Sequence, residues 1–420
     1  MLARAGSLLV CVLMLAGCTG AGPYGYQTGA PTSRVPVPGG PMGGPGPGVP
    51  GQKVAILLPM TGPMADRGQV LSQAAQLALP QGGWPALDVI DTGGSAAGAA
   101  KAAQTAVANG DAMILGPLTS AETGAVAPVA KGAGIPVLAF TNDAAQSQPG
   151  VWPIGITPDQ QVRRLVAAAQ GQGKTNFVAL LPDTDFGRAM GSALTKATQA
   201  AGLPPPVIRT YGGGMQSITA AIKDVSGYAS RRGVIDAKIR EARAAGTAEG
   251  RREAQEILKT SVPPPSFNVL LLAATGDALA EIASVLPYYD IDRSSVQILG
   301  PALWSSPSSG SGAVSGGWYA APDGAARSSL EQSYAAKYGG PPPPLADLAY
   351  DAASIARVLG TTRGFDVTML TQPSGFVGAD GWMSFAPDGH VRRGLAVYRV
   401  GSGGSEMIEP APQSASTPGS

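Results

Sequence analysis

Short apolar runs, each ending at a polar or glycine-proline break, alternate along this chain with longer stretches that repeat at helical spacing. The clearest unit runs from Ala112 to Asn142. It opens with the apolar run Ala112 to Leu115, breaks at Gly116-Pro117 and turns through Leu118-Thr119-Ser120. An alanine-rich helical pattern comes next, then a second apolar run, Ile135 to Phe140. Two short apolar strands joined by a helix-length crossover make a βαβ unit, with strands parallel and buried on both faces.

The same alternation precedes it: a strand at Lys53 to Leu58, helical spacing from Gly68 to Leu79, a strand at Leu87 to Ile90 and a small-residue helix from Ala96 to Asn109. It restarts after Trp152 to Thr157, with strands at Asn176 to Leu181, Val207 to Tyr211, Val269 to Ala273 and Val296 to Leu299 separated by helical segments. Two such series predict an α/β fold of two doubly wound parallel-sheet lobes joined by a multi-strand hinge. The first lobe takes residues 53–156 and 323–372; the second takes 157–322 and 373–400. Between Gly227 and Thr260 the pattern changes to eight Lys or Arg and five Asp or Glu interleaved with alanine. That stretch reads as one or two exposed helices, an insertion over 227–262 in the second lobe. It is either a solvated hairpin or a partner-docking surface, and Arg231, Arg232, Arg240, Arg243, Arg251 and Arg252 are its contact candidates. Residues 401–420 read as a soft tail.

The ends carry different information. Residues 1–17 combine one positive charge, Arg4, with an apolar run from Ser7 to Leu15, the pattern of a secretory signal too short to span a membrane. Its end, Leu15-Ala16-Gly17-Cys18, looks like a bacterial lipobox, which implies lipidation of Cys18. Thr19 stands next in place of the aspartate associated with inner-membrane retention, so by analogy the anchor is expected in the outer membrane of a Gram-negative cell, facing the periplasm. Cys11 leaves with the signal, and one remaining cysteine permits no intrachain disulfide. Residues 18–52 form a glycine- and proline-rich tether without apolar periodicity. As a flexible coil it reaches roughly 30–35 Å.

The net charge of +1 offers no footprint for nucleic acid. Catalytic patterns are also missing. The single histidine, His390, sits in a Pro-Asp-Gly turn, no G-x-S-x-G occurs, and one histidine with one lipidated cysteine cannot build a His–Cys metal cluster. Gly173-Lys174-Thr175 lacks the first glycine of a phosphate loop, where Ala168 stands. No cofactor, metal site or catalytic residue is expected. Binding is a different matter, because open α/β sheets take ligands beyond the carboxyl ends of their strands. The loops there contribute Thr61, Ser120, Thr141, Asn142, Asp143, Asp185, Phe186 and Trp304 as cleft candidates for a small polar ligand. Thr119 and Ser120 also fit a plain helix N-cap, and capping explains Asp183 and Asp185 as well.

The order of elements resembles the type I periplasmic binding proteins of the leucine-binding branch. The carrying residues are Val54 to Gly62, Ile114 to Ser120 and Gly134 to Val137. Within that group the chain resembles the penicillin-binding protein activator lipoproteins. The features are the charged insertion after Lys223, the run Val285 to Asp290, the pair Gly317-Trp318, and Tyr338-Gly339 through Asp351. In leucine-binding relatives a serine, a threonine, a tyrosine and a glutamate hold the amino acid. Here these positions fall at Ser120, around Thr141-Asn142-Asp143, near Phe186 and near Ala302, so the ammonium's carboxylate is missing. The resemblance implies a non-catalytic regulator of a peptidoglycan synthase, a penicillin-binding protein. The alternative is a solute receptor for amino acid transport, which needs a carboxylate opposite Ser120 that only Asp143 or Asp185 could supply.

Overall fold

The computed structural model describes residues 52–414 apart from 81, 261 and 363. Strand β1 (Lys53–Leu58) lies at the heart of a five-stranded sheet with β2 (Ala86–Asp91), β3 (Asp111–Leu115), β4 (Val137–Ala139) and β5 (Val151–Pro153). All pair in parallel in the order β2-β1-β3-β4-β5. Val54 to Leu58 are fully buried because helices cover both faces, so the strand has no polar alternation. Helices α1 (Ala65–Ala78), α2 (Ala96–Ala108) and α3 (Ser120–Ala133) make the crossovers.

The chain then crosses into α4 (Pro158–Gly171) and repeats the winding. Next come β6 (Phe177–Pro182), α5 (Asp185–Ala200), β7 (Val207–Tyr211), α6 (Met215–Val225), α7 (Tyr228–Ala244), α8 (Ala248–Leu258), β8 (Val269–Leu272), α9 (Gly276–Val285), β9 (Gln297–Gly300) and β10 (Trp318–Ala321). Their sheet order, β7-β6-β8-β9-β10, is the order of the first lobe again. The winding reverses between β1 and β3 in one sheet and between β6 and β8 in the other, and the crevice beyond such a point is where ligands sit.

A second crossing leads into α10 (Gly324–Tyr338), α11 (Ala346–Thr362) and α12 (Val367–Leu370), which return to the first lobe. The small antiparallel sheet β11 (Phe376–Gly378), β12 (Gly381–Phe385) and β13 (Val391–Arg393) comes after them. The division expected at residue 373 falls later. Phe376, Met383, Phe385 and Val391 pack in the core beside β1, and the third crossing comes at Leu395, which packs with the second lobe. The expected tail is also shorter. β14 (Ala396–Gly401) pairs antiparallel with β10, and β15 (Gly404–Glu409) pairs antiparallel with β14 at the sheet edge. A glycine-rich turn at 401–404 reads as a chain end because its own residues do not reveal the sheet edge on which residues 404–409 settle.

The three crossings are fastened to one another. Arg393 donates to the Ile154 carbonyl at 2.6 Å, Gln160 to Val391 at 2.7 Å and Arg164 to Leu395 at 2.8 Å. The Tyr398 hydroxyl donates to Pro322 at 3.0 Å and accepts from the Gly324 N–H at 3.2 Å. Among the described residues no helix is long and apolar enough to cross a membrane. The signal, Cys18 and the tether as far as Gly51 lie outside the described residues.

Candidate functional site

A cleft of about 1210 Å³ opens where the strand ends and the crossings meet. Gly116, with φ +79°, brings the loop after β3 so close to β1 that a Cβ would stand 2.6 Å from the Leu57 carbonyl. The chain then enters α3 through Thr119. The Thr119 hydroxyl accepts from the Glu122 N–H, and the Glu122 carboxylate accepts from the Thr119 N–H, a complete capping box. The cap therefore belongs to Thr119, and the Ser120 side chain is released toward the cleft.

There Ser120 meets a carboxylate of its own lobe. Its hydroxyl donates to Asp143 Oδ2 at 2.5 Å, while Asp143 Oδ1 accepts from the Ala145 N–H at 3.0 Å. The Ser120 bond holds the Asp143 carboxyl below the usual range, so it is ionised at neutral pH. A side chain of the protein thus engages the Ser120 hydroxyl.

Five of the eight expected cleft residues line the cavity: Ser120, Thr141, Asn142, Asp143 and Phe186. The other three are elsewhere. Thr61 donates to Asp91 Oδ2 at 2.6 Å; burial raises the Asp91 pKa, but this bond and the N–H groups of Gly93, Met60 and Thr61 outweigh it and hold the carboxyl low. Asp185 is fully exposed and pairs with Arg188 at 2.7 Å, while Thr184 caps the helix that Asp185 begins. Trp304 is buried behind the wall, its indole donating to the Ala274 carbonyl at 2.9 Å. Near it, the Ala302 N–H donates to Gln161 Oε1 at 2.7 Å, so that backbone donor is already satisfied.

The remaining wall comes from residues that the sequence did not single out. Tyr319 and Tyr398 stack with centroids 5.3 Å apart. Asp323, Arg327, Asp347 and Asp380 add charge. Arg327 pairs with Asp347 at 2.7 Å, and Asp380 pairs with the fully buried Arg393 at 3.1 Å. Asp351, one helical turn beyond Asp347, accepts from the Ala379 and Asp380 N–H groups. Burial pushes Asp351 up to about 6, and burial together with the Asp347 charge pushes Asp380 well above its ordinary value. These carboxylates come from a helix and a turn far apart in sequence, and only the spacing of Asp347 and Asp351 hinted at a shared face.

The charged insertion forms a two-helix hairpin, α7 and α8, with a small core of Ile235, Ile239, Ala242 and Ala254. Arg231 faces inward: it donates to the Tyr289 carbonyl at 2.9 Å and to Ser226 at 2.9 Å, bonds Pro263, and lies 3.4 Å from Asp290. Arg232 pairs with Asp236 at 3.0 Å, and Arg251 donates to the Gly246 carbonyl at 3.3 Å. Arg240, Arg243 and Arg252 are exposed. His390 is exposed in its turn beside Asp388, and among the described residues no cluster of three or more His, Cys, Asp or Glu could hold a metal ion.

A model of the family described as periplasmic binding protein matches residues 51–405. No curated protein is similar enough to count as a match. Among solved structures, a protein of Rhodospirillum rubrum described as a branched-chain amino acid ABC transporter aligns with TM-score 0.64 and 21% identity over 85% of this chain and 100% of that one. The C-domain of LpoA from Haemophilus influenzae, a regulator of PBP1A, aligns with TM-score 0.59 and 18% identity over 85% and 100%. LivJ of Streptococcus pneumoniae, in complex with isoleucine, aligns with TM-score 0.52 and 16% identity over 86% and 99%. Identities this low speak for the fold alone. With two parallel-sheet lobes, three crossings and a cleft between them, and a family match over most of its length, the chain belongs to the periplasmic binding protein family.

Proposed function

We propose that this chain is a non-catalytic lipoprotein, anchored through Cys18 on the periplasmic side of the outer membrane, that docks on a peptidoglycan synthase and regulates it. The observation that carries the reading is the state of the amino-acid positions. Ser120 is engaged by Asp143, while Phe186 and Ala302 present no polar side chain where leucine-binding relatives are expected to carry a tyrosine and a glutamate. An α-amino acid entering there meets an ionised carboxylate where its own carboxylate needs a donor. The exposed hairpin face with Arg240, Arg243 and Arg252 supplies a surface of the opposite chemistry, suited to an acidic partner patch. Similarity to the LpoA C-domain supports this reading, and similarity to LivJ supports the alternative, a solute receptor. The receptor reading draws on the size of the cleft, which is ample for a small ligand.

The test is capture of detergent-solubilised penicillin-binding proteins by the mature chain and by a chain with residues 232–259 replaced by a short glycine linker. The deletion keeps Tyr228 and Arg231 in their seats. Capture should fall at least about tenfold and weaken with salt in the intact chain. Undiminished capture by the deletion chain removes the hairpin from the interface. A clear rise in melting temperature with leucine or isoleucine favours the receptor.

A further inference from the structure

Asp380 is 1% exposed, and its Oδ1 has no donor in the structure. The Asp347 carboxyl lies within hydrogen-bonding reach of the Asp380 carboxyl, and both residues line the cleft. The groups around the pair are committed except the Arg393 Nε–H, which has no acceptor and makes no bond to Oδ1. Arg393 is bound to Asp380 Oδ2 and the Ile154 carbonyl, Arg327 to Asp347 and Glu331, and Asp351 to two backbone N–H groups. Of the charged residues lining the cleft, four are carboxylates (Asp143, Asp323, Asp347 and Asp380) and one is a guanidinium, Arg327. An orphaned, buried carboxylate oxygen costs more than a neutral one, and what would satisfy it is a cationic donor small enough to reach between two carboxyl groups.

We propose that the cleft binds a primary amine whose ammonium bridges Asp347 and Asp380, with its apolar body lying along Phe140, Phe186 and the stacked Tyr319 and Tyr398. Three N–H donors suit the geometry: one goes to Asp380 Oδ1, one to Asp347, and one is left for solvent or a lining carbonyl. Two carboxyl groups fall short of the six to eight oxygens a calcium ion requires. The excess of carboxylates lining the cleft turns away a carboxylate carried beside the amine. The ligand class is therefore an amine, or an amino acid whose carboxyl is masked as an amide, and not a free α-amino acid. Burial makes Asp380 hold its proton more tightly than usual, and that proton competes with the ammonium, so affinity rises with pH. The charged groups that face the pair are Asp351 on α11, Arg327 with its partner Glu331 on α10, and Arg393 on β13.

Calorimetric titration of the mature chain with isopentylamine, leucinamide, leucine and isovalerate tests this. Isopentylamine and leucinamide should bind, leucine should bind at least about tenfold more weakly than leucinamide, and isovalerate should give no heat. Binding of the two amines should tighten from about pH 5 to about pH 8. Asp380→Asn, which keeps the shape, should weaken amine binding at least about tenfold. Asp347→Asn, at the more open side of the pair, should do the same and decides the matter if the first variant does not fold. Silence from both amines at millimolar concentration, binding of isovalerate, leucine equal to leucinamide, or unchanged affinity in Asp347→Asn each overturn it. The inference goes beyond the synthase reading and concerns the cleft alone, so loss of synthase capture and loss of amine binding are separate results.

Discussion

At the scale of single residues, burial separates carboxylates that look alike in sequence. Asp143 is held low by the Ser120 hydroxyl, whereas Asp111 at the start of β3 is 2% exposed with neither oxygen bonded. Burial, then the nearby Asp88 charge, pushes Asp111 up to about 6, with Lys53 pulling the other way. The folded chain therefore binds a proton more tightly than the unfolded one between the ordinary value of 3.8 and about 6. Stability falls as pH rises through that window and then stays level, because ionising the folded side chain is the costly step. Asp111→Asn should be more stable at pH 7 by about 1–2 kcal/mol. Urea unfolding across the window should show this pH-dependent fall reduced in the variant, and an unchanged slope would contradict the assignment. The same distinction explains why the cleft carboxylates escaped a sequence reading: Asp347 and Asp380 differ from any surface aspartate only in what surrounds them.

At the scale of elements, most of the β–α alternation was legible because each apolar run is bounded by its own stop signal. Gly116-Pro117 after β3 and the Thr119–Glu122 capping box ahead of α3 are local chemistry, and local chemistry survives folding. The hairpin shows the limit of that reading. Six arginines looked equivalent along α7 and α8, yet the fold uses Arg231 to staple the hairpin to the turn at Tyr289, with Tyr228 packed edge-on against Tyr289 at 5.0 Å. Arg231→Ala leaves several carbonyls without their charged donor and should cost about 1.5–3 kcal/mol. Arg243→Ala, on the exposed face, should stay within about 0.5 kcal/mol of the parent. Denaturation midpoints of the two variants check the contrast, and equal midpoints would show that Arg231 does not hold the hairpin. The hairpin also has its own small core, so its trimming between 232 and 259 should leave the remaining melting transition cooperative.

At the scale of the whole molecule, the buried Arg393 stands at the junction of the crossings. Its guanidinium reaches Asp380 in the turn before β12 and the Ile154 carbonyl at the first crossing. Arg393→Met keeps the volume but strands Asp380 and Asp351 without their counter-charge, which should cost about 3–5 kcal/mol. The cost should shrink as pH falls, because both carboxyls already hold protons more tightly than usual and the missing cation matters least when they are neutral. Guanidine unfolding at neutral and acidic pH would measure this, and a pH-independent loss would show that packing rather than charge is what Arg393 supplies.

By itself the sequence determined the architecture. Periodicity, stop signals and chain length specified two parallel-sheet lobes and a charged insertion, since each of these features is written within a few dozen consecutive residues. Only the tertiary structure decided the chemistry between the lobes. It returned Phe376 to Val391 to the first lobe, gave the end of the chain a sheet edge at β15, and moved Thr61, Asp185 and Trp304 away from the cleft. It also brought Asp347 and Asp380 together in the lining of the cleft. Whether a carboxylate caps a helix, neutralises an arginine or faces a cavity depends on neighbours from distant parts of the chain, and those neighbours are set by packing.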